Sequence, residues 1–156
     1  MDKIWAPWRS KYIYFKDYKR CIFCGNKTSK RDKDRYIIDR SEYSFSMLNL
    51  YPYNNGHVMV APYRHVKGIE NLKDLELIDL MKLVVKTKSI LGKKLKPRGY
   101  NVGMNIGKVA GAGFAAHVHM HIVPRWIGDT NFMPIIAGSK IVSESLEAMY
   151  KLLREK

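Results

Sequence analysis

No apolar run in this chain approaches the ~18 residues that a membrane-crossing helix needs, and the N-terminus has no apolar signal stretch. A membrane protein is therefore not expected, and the cytoplasm is the default location. Cysteine is almost absent: two in 156 residues make no disulfide framework. There is no internal repeat and no low-complexity tract, and the length suits one domain, 1–156, with a core of its own. Acidic residues are scarce as well, 14 against 28 Lys and Arg, leaving a net charge of +14. That balance favours polyanionic partners such as nucleotides, polyphosphates or RNA, although many lysines (Lys82, Lys86, Lys93) also fit a solvated helix face.

Histidine is sparse too, but it is concentrated. Three of the five histidines fall in His117-Val-His119-Met-His121-Ile-Val-Pro124-Arg125-Trp126. Strict alternation reads as a β-strand, with His117, His119 and His121 on one face, roughly 6.6 Å apart along it. Val118, Met120 and Ile122 then face a core, and Pro124 is expected to end the strand or mark a sheet edge. Two chemistries suit such a row: metal binding by neutral imidazoles, or one imidazole acting as nucleophile while its neighbours fix its tautomer and hold phosphate oxygens.

The rest of the chain supplies a frame. Residues 1–20 are aromatic and basic, and are expected to pack on the domain or on a partner subunit, with nucleic-acid stacking as the sharper alternative. Cys21-Ile-Phe-Cys24 suggests zinc or redox chemistry. Tyr36 to Ile38 and Tyr43 to Asn49 read as a hairpin, and Asn55-Gly56 as a turn able to take positive φ. His57 to Pro62 follows as a third strand. Leu72, Leu75, Ile78, Leu80, Met81, Val84 and Leu91 mark an amphipathic helix over 71–95. Tyr100 to Ile106 reads as a fourth strand, Gly107 to Gly113 as a flexible loop, and Ser143 as the cap of a last helix carrying Leu146, Met149 and Leu153. The sum is α+β: a mainly antiparallel sheet with one long central helix and a C-terminal helix.

The triad stretch resembles the His-φ-His-φ-His-φ-φ motif of the histidine triad (HIT) superfamily of nucleotide hydrolases and transferases, where φ is apolar. Asn49 through His65, with Gly56-His57 opening a strand that ends at Pro62, is similar to that family's nucleotide-binding segment. The resemblance implies His119 as the nucleophile, attacking the α-phosphorus of a nucleotide and forming a nucleotidyl-histidine. His121 is implied as a phosphate ligand, His57 as a support of the triad from an adjacent strand and Asn49 as a ribose ligand. Cys-x-x-Cys near the N-terminus resembles a zinc-bearing branch, which implies a structural zinc on Cys21, Cys24, His65 and His117; no organic cofactor is expected.

Where many relatives carry Gln-Ser or Gln-Thr before the triad, this chain has Gly113 and Phe114. Phosphate and leaving-group contacts are then expected from Asn105, Lys108, Arg125 or the backbone at Gly113. Trp5-Ala-Pro-Trp-Arg9, Ala110 to Gly113 and Pro124-Arg-Trp with Gly128 to Pro134 resemble the bacterial branch of diadenosine tetraphosphate phosphorylases. The implied reaction is phosphate-dependent cleavage of dinucleoside polyphosphates. Hydrolysis of nucleoside phosphoramidates is the runner-up, and a non-catalytic, zinc-stabilised nucleotide- or RNA-binding module the third reading. By family analogy a homodimer is expected.

Overall fold

A computed structural model describes residues 21–28, 30–130 and 142–155; the N-terminal arm (1–20) and the segment 131–141, with part of the phosphorylase-like resemblance, lie outside them. Five strands form one antiparallel sheet: β1 (Ile37–Arg40), β2 (Ser44–Leu48), β3 (Val58–Pro62), β4 (Gly99–Gly103) and β5 (Met120–Arg125). Their spatial order is β1-β2-β3-β5-β4, so the last strand enters between β3 and β4. The expected α+β architecture is what forms.

Side-chain parity divides the sheet into two faces. Leu48, Val58, Val60, Met120 and Ile122 point to one face and pack with Leu80, Leu83, Val84 and Leu91 of helix α1 (Asp74–Leu95). Phe45, Met47, Met59 and Ala61 point to the other, where they enclose Phe23 and meet Cys21. His57, His119 and His121 share the odd parity of Met59 and Ala61, so the histidines fall on the face away from α1.

A 3-10 turn at Ile69–Asn71 precedes α1, which therefore starts later than expected. Glu76 accepts the Lys73 N–H at 2.8 Å, satisfying one of the free donors of its first turn, and pairs with Arg64. The buried stripe of α1 runs through Glu76, Leu80, Leu83, Val84, Thr87 and Leu91. Leu75, Ile78 and Met81, read above as part of that stripe, are instead exposed. Helix α2 (Leu146–Arg154) is capped by Ser145, whose Oγ accepts the Ala148 N–H at 3.1 Å. Ser143, the expected cap, takes the Asn55 side-chain amide at 2.7 Å. Tyr36 donates its hydroxyl to Glu147 at 2.6 Å, and Arg154 reaches the Ile38 carbonyl at 2.9 Å, tying α2 to β1. Among the described residues, no helix is long and apolar enough to cross a membrane.

Two local features prepare the site. Gly56 turns the chain into β3 at φ +68°, and a Cβ there would collide with Leu95. The positive φ favours glycine there, and any side chain would also have to displace the tip of Leu95. Pro124 does not end β5, which runs on to Arg125. β3 stops opposite Ile122, so at Pro124 only β4 runs alongside, and the Pro124 carbonyl accepts the Asn54 side-chain amide at 3.0 Å. The missing N–H costs no bond to β3.

Candidate active site

Of the three triad histidines only His121 lies inside β5; His117 and His119 sit on the segment leading into it, held where the Val118 N–H donates to the Val66 carbonyl at 2.7 Å. Their alternation survives nonetheless. Val118 is buried, and the rings of His119 and His121 meet edge to face at 4.8 Å.

Hydrogen bonds to backbone groups, whose donor or acceptor role is fixed, determine which nitrogen of each ring carries its proton. Nδ1 of His119 lies 2.9 Å from the carbonyl oxygen of His117. A carbonyl only accepts, so Nδ1 is protonated and Nε2 keeps its lone pair. No described residue hydrogen-bonds that Nε2. At His57 the polarity runs the other way. The Tyr53 N–H donates to Nδ1 at 3.0 Å, and the Asn49 amide approaches the same atom at 3.3 Å. Nδ1 of His57 is therefore the acceptor, and its Nε2–H points at Nδ1 of His121, 2.9 Å away. That leaves His121 protonated at Nε2. The two neighbouring rings thus hold opposite tautomers: His119 presents a lone pair and His121 an N–H.

Burial keeps these rings neutral. His57 is pushed down to about 3, first by burial and then by the neighbouring His121 and His119. His121 falls to about 4 through burial and then His119. Burial also lowers His119, against the pull of its bond to the His117 carbonyl. Near neutral pH both rings are uncharged, His119 with a lone pair at Nε2 and His121 with an N–H there.

A second cluster adjoins the first. The ligand atoms of Cys21, Cys24, His65 and His117 all lie within 4.8 Å of one another. Cys21 Sγ is 3.4 Å from His117 Nδ1, Cys24 Sγ is 3.2 Å from His65 Nδ1, and the two imidazole Nδ1 atoms are 3.3 Å apart. Tetrahedral zinc with ordinary Zn–S and Zn–N bonds gives ligand-to-ligand edges of about 3.3–3.8 Å. His117 donates Nε2–H to the Pro62 carbonyl at 2.9 Å, which frees Nδ1 to face the sulfurs as a ligand does. Burial, and then the neighbouring Cys21, raise the Cys24 thiol, a crowding that a cation would relieve.

The other expected site residues are less centrally placed. Asn49 is buried, with its amide on His57 and its Oδ1 accepting the Tyr51 N–H at 2.9 Å. Asn105 donates to the Gly111 carbonyl at 3.4 Å, across the exposed loop that carries Lys108 and Gly113. In that loop Gly107 and Gly111 take positive φ; Gly113 does not. Arg125 grips Asp129 through Nε at 2.7 Å and Nη2 at 2.9 Å, and reaches Asn101 at 2.7 Å. Its guanidinium is committed at the far end of β5.

Two site residues escaped the sequence reading. Tyr53 places its ring 4.5 Å from His57 and stacks on His121 at 5.7 Å; its place four residues before His57 was the available signal. Phe23 lies against His119 at 4.8 Å and His117 at 5.0 Å. Its only sequence signal was its position between the two cysteines.

Comparison with known proteins places this geometry. The HIT domain family matches residues 30–126. An AP-4-A phosphorylase of Mycobacterium tuberculosis is 37% identical over 161 residues, covering 98% of this chain and 83% of that protein. The adenosine 5'-monophosphoramidase of Schizosaccharomyces pombe is 34% identical over 105 residues, covering 67% of this chain and 74% of that protein. A histidine triad nucleotide-binding protein of Sulfolobus tokodaii superposes with a TM-score of 0.66 at 27% identity, over 86% of this chain and 89% of that one.

Proposed function

This chain belongs to the HIT domain family, and on that premise we propose that it is a nucleotidyl-transferring phosphorylase of dinucleoside polyphosphates, working through His119. The observation that carries the reading is the pair of opposite tautomers, a lone pair on His119 Nε2 beside an N–H on His121. A metal site alone does not need that arrangement; in-line phosphoryl chemistry does.

In the reaction on diadenosine tetraphosphate, His119 Nε2 bonds to the α-phosphorus while the bridging P–O bond breaks. ATP departs with the electron pair. The proton stays on His119 Nδ1, hydrogen-bonded to the His117 carbonyl, and the His121 N–H, backed by His57, meets a non-bridging oxygen as charge grows there. An oxygen of inorganic phosphate then attacks the adenylyl group, the N–P bond breaks, and ADP is released. Lys108 in the glycine loop is the cation proposed to receive this acceptor, since Arg125 is paired with Asp129. Asn105 and the backbone around Gly113 take phosphate contacts in this reading. Ribose binding by Asn49 requires its amide to turn away from His57. The similarity to the M. tuberculosis AP-4-A phosphorylase over nearly the whole chain supports both substrate and acceptor.

Cys21, Cys24, His65 and His117 fit a structural zinc, supported by ligand atoms that all lie within 4.8 Å of one another. When bound, such an ion neutralises the thiolates and staples the N-terminal loop to the sheet. Both cysteines are free, which suits a reducing compartment such as the cytoplasm. The exposed apolar strip of Leu77, Ile78, Met81 and Val85 on α1 supports a homodimer.

Hydrolysis is the second reading, favoured by similarity to the S. pombe monophosphoramidase. Product analysis decides between them. A phosphorylase gives ADP and ATP from diadenosine tetraphosphate only when phosphate is present. AMP and ATP at equal rates with and without phosphate would make the enzyme a hydrolase. Tight nucleotide binding with no cleavage would leave only a binding module.

A further inference from the structure

Phe23 stands between the two cysteines and is fully buried. Its ring packs on His119 at 4.8 Å with the planes 34° apart, and on His117 at 5.0 Å. Phe114 at 5.9 Å and Phe45 at 6.4 Å close around it. We propose that Phe23 is a positioning residue for the nucleophile: it fixes the ring plane of His119 and passes to it the state of the Cys21–Cys24–His65–His117 cluster. This rests on the reading of His119 as nucleophile and of the cluster as a metal centre.

The need for such a wall follows from the geometry. His119 has one hydrogen bond, at Nδ1, and a single bond leaves the ring free to swing about it. His121 touches it edge-on, at an interplanar angle of 68°. The other ring packed on His119 among the described residues is Phe23, and it lies against the face of the imidazole. Misplacing a reacting atom by about 1 Å costs on the order of 100-fold in rate, so this packing bears directly on attack.

Phe23 is not free to move alone. Cys21 Sγ and Cys24 Sγ, on either side of it, stand 3.4 and 3.9 Å from His117 Nδ1, so a metal gripping them fixes the short loop that carries the ring. Other ties hold the loop as well: the buried Asn26 amide donates to the Ile22 carbonyl at 3.2 Å, Arg35 donates to the Cys24 carbonyl at 3.4 Å and to Asn26 Oδ1, and Arg40 donates to the Asn26 carbonyl at 2.6 Å. Those bonds fasten the loop to β1 and the turn before it, not to the histidines. The cluster therefore holds the nucleophile twice, through the His117 carbonyl at one atom and through the Phe23 ring at its face.

The test uses the full chain, zinc-loaded, with kcat and KM for diadenosine tetraphosphate, metal content, and the nitrogen NMR signals of His119, which report its tautomer. Phe23→Ala is expected to keep its zinc and its KM while kcat falls roughly 10- to 100-fold. The single Nδ1–H tautomer of His119 should become a mixture. Phe23→Leu, which refills most of the volume, should recover most of the rate and the signal. Chelating the metal from the unmodified chain should move the His119 signal in the same direction, and should move that of Phe23→Ala by less, since only the His117 carbonyl then carries the change. Unchanged kcat and tautomer in Phe23→Ala, with only a lower melting temperature, would reduce Phe23 to a core residue and overturn the proposal. A His119 signal indifferent to metal removal would overturn the link to the cluster, and that measurement on the unmodified chain decides even if Phe23→Ala does not fold. Full activity in His119→Ala would instead sink the proposed function itself, a different outcome from either.

Discussion

His117 offers its ring to the cysteine cluster and its carbonyl oxygen, 2.9 Å away, to Nδ1 of His119. One residue thus belongs to both sites, by different atoms. Its ring cannot join in proton transfer while Nε2 is bonded to the Pro62 carbonyl and Nδ1 faces sulfur. The proposed division of labour in the triad accords with this: the first histidine holds, the second attacks, the third receives charge.

The sharpest consequence concerns His119. Replacing it with alanine should lower turnover by on the order of 10³-fold or more, about 4 kcal/mol of barrier. Nucleotide affinity should change far less, because His121 and the loop residues remain. Single-turnover assays and nucleotide titration measure the two quantities separately. A variant turning over at near the parent rate would remove His119 as nucleophile.

How much of this could be read in advance depended on the range of the interaction. The histidine row follows from a period of two and needs only neighbours in sequence, so its shared face was legible. The four-member metal set joins Cys21 to His117 across most of the chain, and only a family resemblance brought it together. The face of α1 was misread at Leu75, Ile78 and Met81 because hydropathy marks apolar residues but not the side on which the sheet lies. The true stripe includes Glu76 and Thr87, which no hydropathy argument selects. At Pro124 the strand-ending alternative failed and the edge alternative held locally, and choosing between them needed to know where β3 leaves β5, a tertiary fact.

Metal analysis should find about one zinc per chain in protein purified without added metal, by the tetrahedral Cys and His logic. Cys21→Ser should lower both that content and the melting temperature, since the loop from Cys21 to Asn26 then loses its fastening to His117. Fully folded, metal-free protein would reject the zinc centre and leave the nucleotide chemistry standing.

Arg125 and Asp129 form an asymmetric pair. Asp129 has a side-chain exposure of 7%, against 42% for Arg125. Besides the guanidinium, Asp129 accepts the Asn54 amide at 2.8 Å and the Trp126 N–H at 3.1 Å. Asp129→Ala strands several donors and should cost about 2 kcal/mol of stability. Arg125→Ala removes a half-exposed partner and should cost less. Denaturant titrations compare them directly. A larger loss for Arg125→Ala would mean that the guanidinium holds this end of β5 by packing rather than through Asp129.

Acid should weaken the fold earlier than carboxylates alone would cause. His57 titrates near 6.5 in an unfolded chain and near about 3 here, because burial excludes its charged form. Between those values the unfolded chain binds a proton that the native chain refuses, so stability is complete above pH 6.5 and is lost as pH falls toward 3. His121, lowered to about 4, acts in the same sense over a narrower window. Glu76 is also depressed, from 4.5 to about 2, chiefly by its bond to Arg64, so its contribution is lost only below pH 4.5. The interval from pH 6.5 to 5 therefore belongs to the histidines. Melting temperatures should fall across it in the parent chain and fall less steeply in His57→Phe, which has no proton to refuse at that position. Equal slopes in the two proteins would show that His57 is not held neutral by the fold, and the polarity assigned to its bond with His121 would have to be abandoned with it.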